Sequence, residues 1–268
     1  MKRHVGKVVR ASKGILADGI DSYKIIPRNI LRTTIGRSVD GANIDVYKIG
    51  EGKKTILITA SIHGNEVGTV KLANQIINWL HTSTIKADDY TFFIVPCLNP
   101  DGFAVAREHP GYWSGGKSGR FNANEVDLNR NFDTPSFVSD AAWNHGKNYS
   151  LTTTVFAGKK PFSEPETAAV RDFIKSQKVK VWISLHNAGK DIASSNDALA
   201  QKLAGIFASE SGYKLYSESD WQDFKQTGTA KEWCDIQKVT YLEIEGSNRW
   251  SSDWPALKSA FEKTIEAI

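Results

Sequence analysis

Short, continuous apolar runs alternate along this chain with segments whose apolar positions recur at helical spacing. Thr55 to Ala60 (TILITA) and Tyr90 to Val95 (YTFFIV) are rich in β-branched or aromatic residues, as strands buried on both faces should be. Between them Val67, Val70, Ala73, Ile77 and Leu80 share one helical face, which predicts a helix from Glu66 to about His81. Val179 to Leu185 (VKVWISL) and Val239 to Glu245 predict two more strands. Further helices are predicted over Glu164 to Gln177, Asn196 to Ser211 and Asp253 to Ile268. Ser163 as N-cap, Pro165 in the first turn and neighbouring acids mark the start of the first of these. Such alternation predicts an α/β sandwich with a central twisted sheet, mixed but mostly parallel, flanked by helices. The stretches from about Glu108 to Asn124 and from Asp133 to Lys160 read as long loops.

Composition narrows this picture. With 268 residues and 40% apolar content, the expectation is one domain over residues 1–268, with residues 1–34 as an N-terminal extension. A net charge of +4, from 34 basic and 30 acidic residues that are interspersed, argues against a nucleic-acid surface and suits an anionic substrate. The basic start Met1 to Lys7 is not followed by an apolar segment long enough for secretion or membrane spanning. A cytoplasmic protein without a membrane partner is therefore expected. Cys97 and Cys234 imply no disulfide framework. Oligomeric state is not legible at this level.

Reactive residues fall after the strands. His63 and Glu66, in Ser61-Ile62-His63-Gly64-Asn65-Glu66, follow the first strand; Asn99-Pro100-Asp101-Gly102 follows the second; His186 and Asn187 follow the third. Glu243 and Glu245 lie at the end of the fourth. Open α/β sheets bind ligands outside the carboxyl ends of their strands, so these segments are expected to converge. An H-x-x-E turn can aim an imidazole and a carboxylate at one cation. Strand alternation puts Tyr241, Glu243 and Glu245 on one side and does not choose between the two glutamates.

Taken together, HGNE at 63–66, NPDG at 99–102, RFNANEVDLNRNF at 120–132, SEPET at 163–167, SLHN at 184–187 and YLEIE at 241–245 resemble the zinc carboxypeptidase (carboxypeptidase A-like) family. The resemblance runs from about residue 35 to 268, in the family's order. It implies His63, Glu66 and His186 as ligands of one Zn2+ per chain, with a fourth position left for water. It implies Asp127 as the acid supporting the first histidine, Asn129 and Arg130 as the grip on a substrate's terminal carboxylate, and Arg120 as the stabiliser of the developing oxyanion. It selects Glu243 as general base over Glu245.

The implied activity is hydrolysis of a C-terminal peptide or amide bond in a small peptide with a free carboxylate. The compact length, the close HGNE opening and the short link from Arg120 to Arg130 look most like bacterial murein-peptide amidases, which cut between γ-D-glutamate and diaminopimelate. Two alternatives remain at this point: an acylase-like amidohydrolase of the desuccinylase and aspartoacylase type, and a non-catalytic metal-dependent binding module. Relatives in which a tyrosine caps the cleft direct attention to Tyr213, Tyr216 and Trp221, without an assignment among them.

Overall fold

The structure is a computed structural model that describes residues 29–83, 89–108, 118–145, 151–216 and 226–268. Residues 1–28 of the expected extension, 109–117 and 146–150 of the two expected loops, and Trp221 lie outside the described residues. In chain order the elements are β1 (Ile30–Arg37), β2 (Asn43–Ile49), β3 (Lys54–Ala60), α1 (Val67–Thr82), β4 (Tyr90–Val95) and α2 (Pro100–Glu108). A 3-10 turn (Leu128–Arg130), β5 (Asp140–His145), β6 (Leu151–Phe156), α3 (Pro165–Gln177), β7 (Val181–Asn187) and β8 (Asp191–Ser194) follow. Last come α4 (Ala198–Ser211), β9 (Lys214–Leu215), α5 (Ala230–Gln237), β10 (Thr240–Gly246) and α6 (Trp254–Glu266).

One sheet of eight strands has the order β1-β2-β4-β3-β7-β10-β8-β9. Its centre, β4-β3-β7-β10, is parallel, and β1, β2 and β8 join antiparallel. The parallel centre explains the unbroken apolar runs, because successive residues feed opposite faces and both are covered. Ile56, Ile58, Val181, Ile183, Leu242 and Ile244 pack into one core with buried side chains of α1, α4 and α6. Leu57, Phe93, Trp182 and Tyr241 enter a second core with Val170 and Ile174 of α3 and Trp233 of α5. On α1, Leu72, Ile76, Ile77 and Leu80 are buried in the first core, each contributing about 1.5–3 kcal/mol.

Some expectations need correction. α1 begins at Val67, and Glu66 precedes it without donating its carboxylate as a cap. α3 is preceded by Glu164 in the N-cap position rather than by Ser163, whose hydroxyl instead donates to the Glu164 carboxylate at 2.7 Å. α4 begins at Ala198 rather than at Asn196, with Asp197 as its cap accepting from the Ala200 N–H at 2.9 Å. The stretch from Asp133 to Lys160 is not all loop: β5 and β6 pair antiparallel, because Ala141, Trp143, Val155 and Ala157 turn inward into a small core of their own.

Three glycines draw the loops behind the strand ends together. A Cβ on Gly64 would sit 2.2 Å from both the Gly102 carbonyl carbon and the Phe103 nitrogen, and one on Gly102 would sit 2.6 Å from the Gly119 oxygen. No side chain can yield there, since the obstacles are backbone atoms. Gly64→Ala should therefore lose about 1–3 kcal/mol of stability, read as a lower denaturant midpoint. An unchanged midpoint would show that these loops do not depend on the close approach.

Candidate metal centre

β3, β7 and β10 end side by side, with Ala60 paired to Leu185 and His186 paired to Glu245. Toward these ends the face that began with Trp182 and Tyr241 turns polar, through Ser184 and His186 on β7 and Glu243 and Glu245 on β10. Beyond β3 the chain turns through Ser61 with φ +57°, a left-handed conformation that costs about 1–2 kcal/mol in a residue with a Cβ. Surrounding hydrogen bonds hold it: Ser61 N–H donates to Thr69 Oγ1 at 3.0 Å, and Asn99 N–H donates to Ser61 O at 2.9 Å. Asn99 Nδ2 also donates to the carbonyls of Ile62 (3.4 Å) and Arg120 (3.3 Å). The asparagine of the NPDG segment thus fastens the HGNE turn to the loop carrying Arg120.

That turn brings His63 and Glu66 to His186. His63 Nδ1 is 2.9 Å from Glu66 Oε1, and His186 Nδ1 is 3.4 Å from Glu66 Oε2. One potential ligand atom from each of the three residues lies within 4.8 Å of the others, and all three are buried. The outer nitrogens are already engaged: His63 Nε2 lies 3.2 Å from Asp127 Oδ1, and His186 Nε2 lies 3.0 Å from Ser184 Oγ. Both partners can accept a proton from Nε2, which would free both Nδ1 atoms for a cation.

The donor set fits a divalent cation. Glu66 Oε2 is buried and makes no hydrogen bond among the described residues, an expensive state for a carboxylate oxygen. Burial alone would raise the Glu66 carboxyl, but His63 and His186 hold it below the ordinary range. Burial would lower the His186 imidazolium, yet Glu243 and Glu66 raise it to about 10. A dication would replace that proton and supply Glu66 Oε2 with its missing partner. Two imidazoles and one carboxylate are the ligand chemistry of open zinc sites.

Around this centre the other expected residues also lie, with partners beyond those anticipated. Asp127 is fully buried and receives, besides His63, Arg120 Nε and Nη2 on Oδ2 at 3.0 and 2.8 Å and Asn129 N–H at 3.1 Å. Burial would raise its carboxyl, but Arg120 and His63 hold it well below the usual range. The Arg120 guanidinium lies over the Trp143 ring at 4.3 Å. One edge of the guanidinium therefore serves Asp127, and the Nη1 edge is the part turned from that partner and left for an oxyanion among the described residues. Arg130 donates through Nε to Ala142 O (3.0 Å) and through Nη1 to Asn129 O (2.7 Å). Asn129 Oδ1 accepts from Ala230 N–H at 3.0 Å, so its oxygen steadies the start of α5 and its amide N–H groups are the part left for a ligand.

Glu243 Oε2 lies 3.7 Å from His186 Nε2, and Glu245 Oε1 lies 3.9 Å from His186 Nδ1. Burial and the nearby Glu66 charge push Glu245 well above the ordinary carboxyl value. Arg249, which the sequence did not single out, reaches Glu66 Oε1 at 3.8 Å and donates to Asn65 Oδ1 at 3.1 Å. Tyr213 is buried and donates to Asp253 at 2.8 Å, and the Tyr216 ring sits 3.9 Å from Lys214 Nζ. Ser184 and Tyr241 were also missed, although each stands two residues before a singled-out residue on the same strand face.

Known proteins resemble this chain in sequence and in fold. Residues 24–266 match the family model described as zinc carboxypeptidase. A zinc carboxypeptidase of Simulium vittatum is 28% identical over 284 residues, spanning 90% of this chain and 88% of its own. Among solved structures, murein-tripeptide amidase MpaA from Escherichia coli O157 superposes with a TM-score of 0.64 at 24% identity, over 88% of this chain and 91% of that one. Bovine thrombin-activatable fibrinolysis inhibitor, in complex with tick carboxypeptidase inhibitor, gives 0.69 at 20% identity, over 89% and 88%. At these identities the structural likeness speaks for the fold.

Zinc should stabilise the metal-free protein by about 4 kcal/mol when present at a thousandfold its Kd, visible by calorimetry as a raised Tm. His63→Ala should abolish the shift. An equal shift in that variant would remove His63 from the ligand set.

Proposed function

The chain belongs to the zinc carboxypeptidase family, and on that premise we propose that it is an exopeptidase cutting the amide bond next to a free carboxylate. The observation that carries this reading is the gathering of His63, Glu66 and His186 within 4.8 Å, with Glu243 beside them. Both arginines of the RFNANEVDLNRNF segment are buried in the same neighbourhood.

His63, Glu66 and His186 are the residues that would hold zinc. Bound there, the ion supplies Lewis acidity, acidifying a water and polarising a carbonyl. The protein's own side chains do the rest. Arg130 lies within electrostatic reach of Glu243, and its uncommitted Nη2, with the Asn129 amide, would hold the substrate carboxylate through charge-assisted hydrogen bonds. That grip fixes the scissile bond one residue away. Glu243 accepts a proton from the attacking water as the C–O bond forms, then delivers it to the leaving nitrogen as the C–N bond breaks. Arg120 offers its Nη1 edge to the oxygen that gains charge. Asp127 keeps the His63 tautomer and the Arg120 plane fixed at once.

The finer reading is a short murein-derived peptide, cut between γ-D-glutamate and diaminopimelate. Its support is the short Arg120-to-Arg130 link, together with a fold shared over 91% of the murein-tripeptide amidase. A panel of N-acylated dipeptides, murein tripeptide and N-acyl amino acids, each with free or amidated carboxylate, tests both levels. Turnover should require the free carboxylate and vanish with chelator. Equal turnover of amidated substrates would contradict the exopeptidase reading, and turnover of N-acyl amino acids alone would favour an acylase.

Two variants sharpen the residue roles. Glu243→Gln should retain zinc while kcat falls roughly 10²–10⁴-fold. Arg130→Lys should raise KM by the equivalent of about 1.5–3 kcal/mol; an unchanged KM would take the carboxylate grip away from Arg130.

A further inference from the structure

The parallel register of β7 and β10 sets Glu243 beside Ser184 and Tyr241 beside Trp182, so Ser184, His186, Tyr241 and Glu243 crowd one face. Two hydrogen-bond contacts lie along this face, and the strand register brings them together. His186 Nε2 lies 3.0 Å from Ser184 Oγ. Ser184 is a cross-strand neighbour of Tyr241 on that face, and its hydroxyl acts on the Tyr241 oxygen. Tyr241 Oη donates to Glu243 Oε2 at 2.9 Å. Ser184 and Tyr241 are both fully buried. Burial and the Glu243 charge push the Tyr241 phenol well above its ordinary value, which keeps it a donor at any pH the protein tolerates.

Each group in the line has one proton to give, and the direction is fixed from both ends. With His186 Nδ1 turned inward to serve as a cation ligand, the ring's one remaining proton would sit at Nε2 and be donated to Ser184. A carboxylate at the far end can only accept. Ser184 must then donate to Tyr241, and Tyr241 to Glu243. We infer that Ser184 and Tyr241 form a one-way hydrogen-bonded link that couples the ligand histidine His186 to Glu243 and orients both. Its two ends have separable duties. Ser184 fixes the His186 ring for the cation, and Tyr241 pins Glu243 Oε2 so that Oε1 faces the water. Hydrogen bonds in such a dry setting are strong and mutually reinforcing. Tyr241 is thus a positioning residue that acts through Glu243.

The inference rests on Glu243 being the general base, and the test separates the two. Tyr241→Phe keeps the ring that packs edge-on against Trp182 at 5.2 Å and removes only the donor. With the best substrate of the panel above, kcat should fall roughly tenfold or more while KM changes little. Ser184→Ala should weaken binding of zinc alone, measured by competition with a chromogenic chelator, roughly 10–100-fold. Tyr241→Phe should leave that affinity within a few-fold. If Glu243→Gln is inert yet Tyr241→Phe keeps the wild-type kcat, or Ser184→Ala binds zinc as the wild type does, the link is overturned and the general base stands. If Glu243→Gln turns over normally, the general-base reading itself falls, and the link with it.

Discussion

The parallel pairing of β3, β7 and β10 is the constraint on which the rest of this structure depends. It ends three strands at one level, so that a turn after Ala60, the histidine of β7 and the two glutamates of β10 share one small volume. No single sequence segment contains more than two of the three candidate ligands. Sliding any of these strands by one residue would turn its polar end group to the opposite face and into an apolar core. The hydrophobic alternation that builds two cores therefore also sets the register of the chemistry.

Several local choices at this centre are unfavourable by themselves. Ser61 takes a left-handed backbone, Glu66 leaves α1 without a side-chain cap, and Asp127 is wholly buried with its charge. A missing cap costs about 1 kcal/mol, and removing one partner of a buried charge about 3–5 kcal/mol. Each is offset by a neighbour at the site: Thr69 and Asn99 for the Ser61 turn, the imidazoles for Glu66, and Arg120 for Asp127. Such strain clustered about one cluster of ligands is the signature of a site kept for function.

Much of this was legible in the chain. The buried central strands announced themselves because both their faces are apolar, and α1 through its single apolar stripe. The trio that the family resemblance implied gathers at the carboxyl ends of the strands, where open sheets hold ligands. What stayed hidden depends on tertiary contact. β1 and β2 lie at the sheet edge with mixed exposure, which blurs their alternation. The β5–β6 hairpin carries few large apolar residues, and its Trp143 lies over Arg120, a partner no local pattern can reveal. The commitment of Arg120 to Asp127 is likewise a three-dimensional fact, and it narrows the face that Arg120 can offer a substrate. Arg249 arrives from beyond β10 without any motif of its own.

The central claim is that two imidazoles and one carboxylate, from β7 and the turn between β3 and α1, hold a single divalent ion. X-ray absorption at the zinc edge of the loaded protein measures this most directly. The account predicts one zinc per chain in a shell of nitrogen and oxygen at about 2.0–2.2 Å with the scattering pattern of two histidine rings. A sulfur shell near 2.3 Å, or an oxygen-only shell without imidazole scattering, would contradict it.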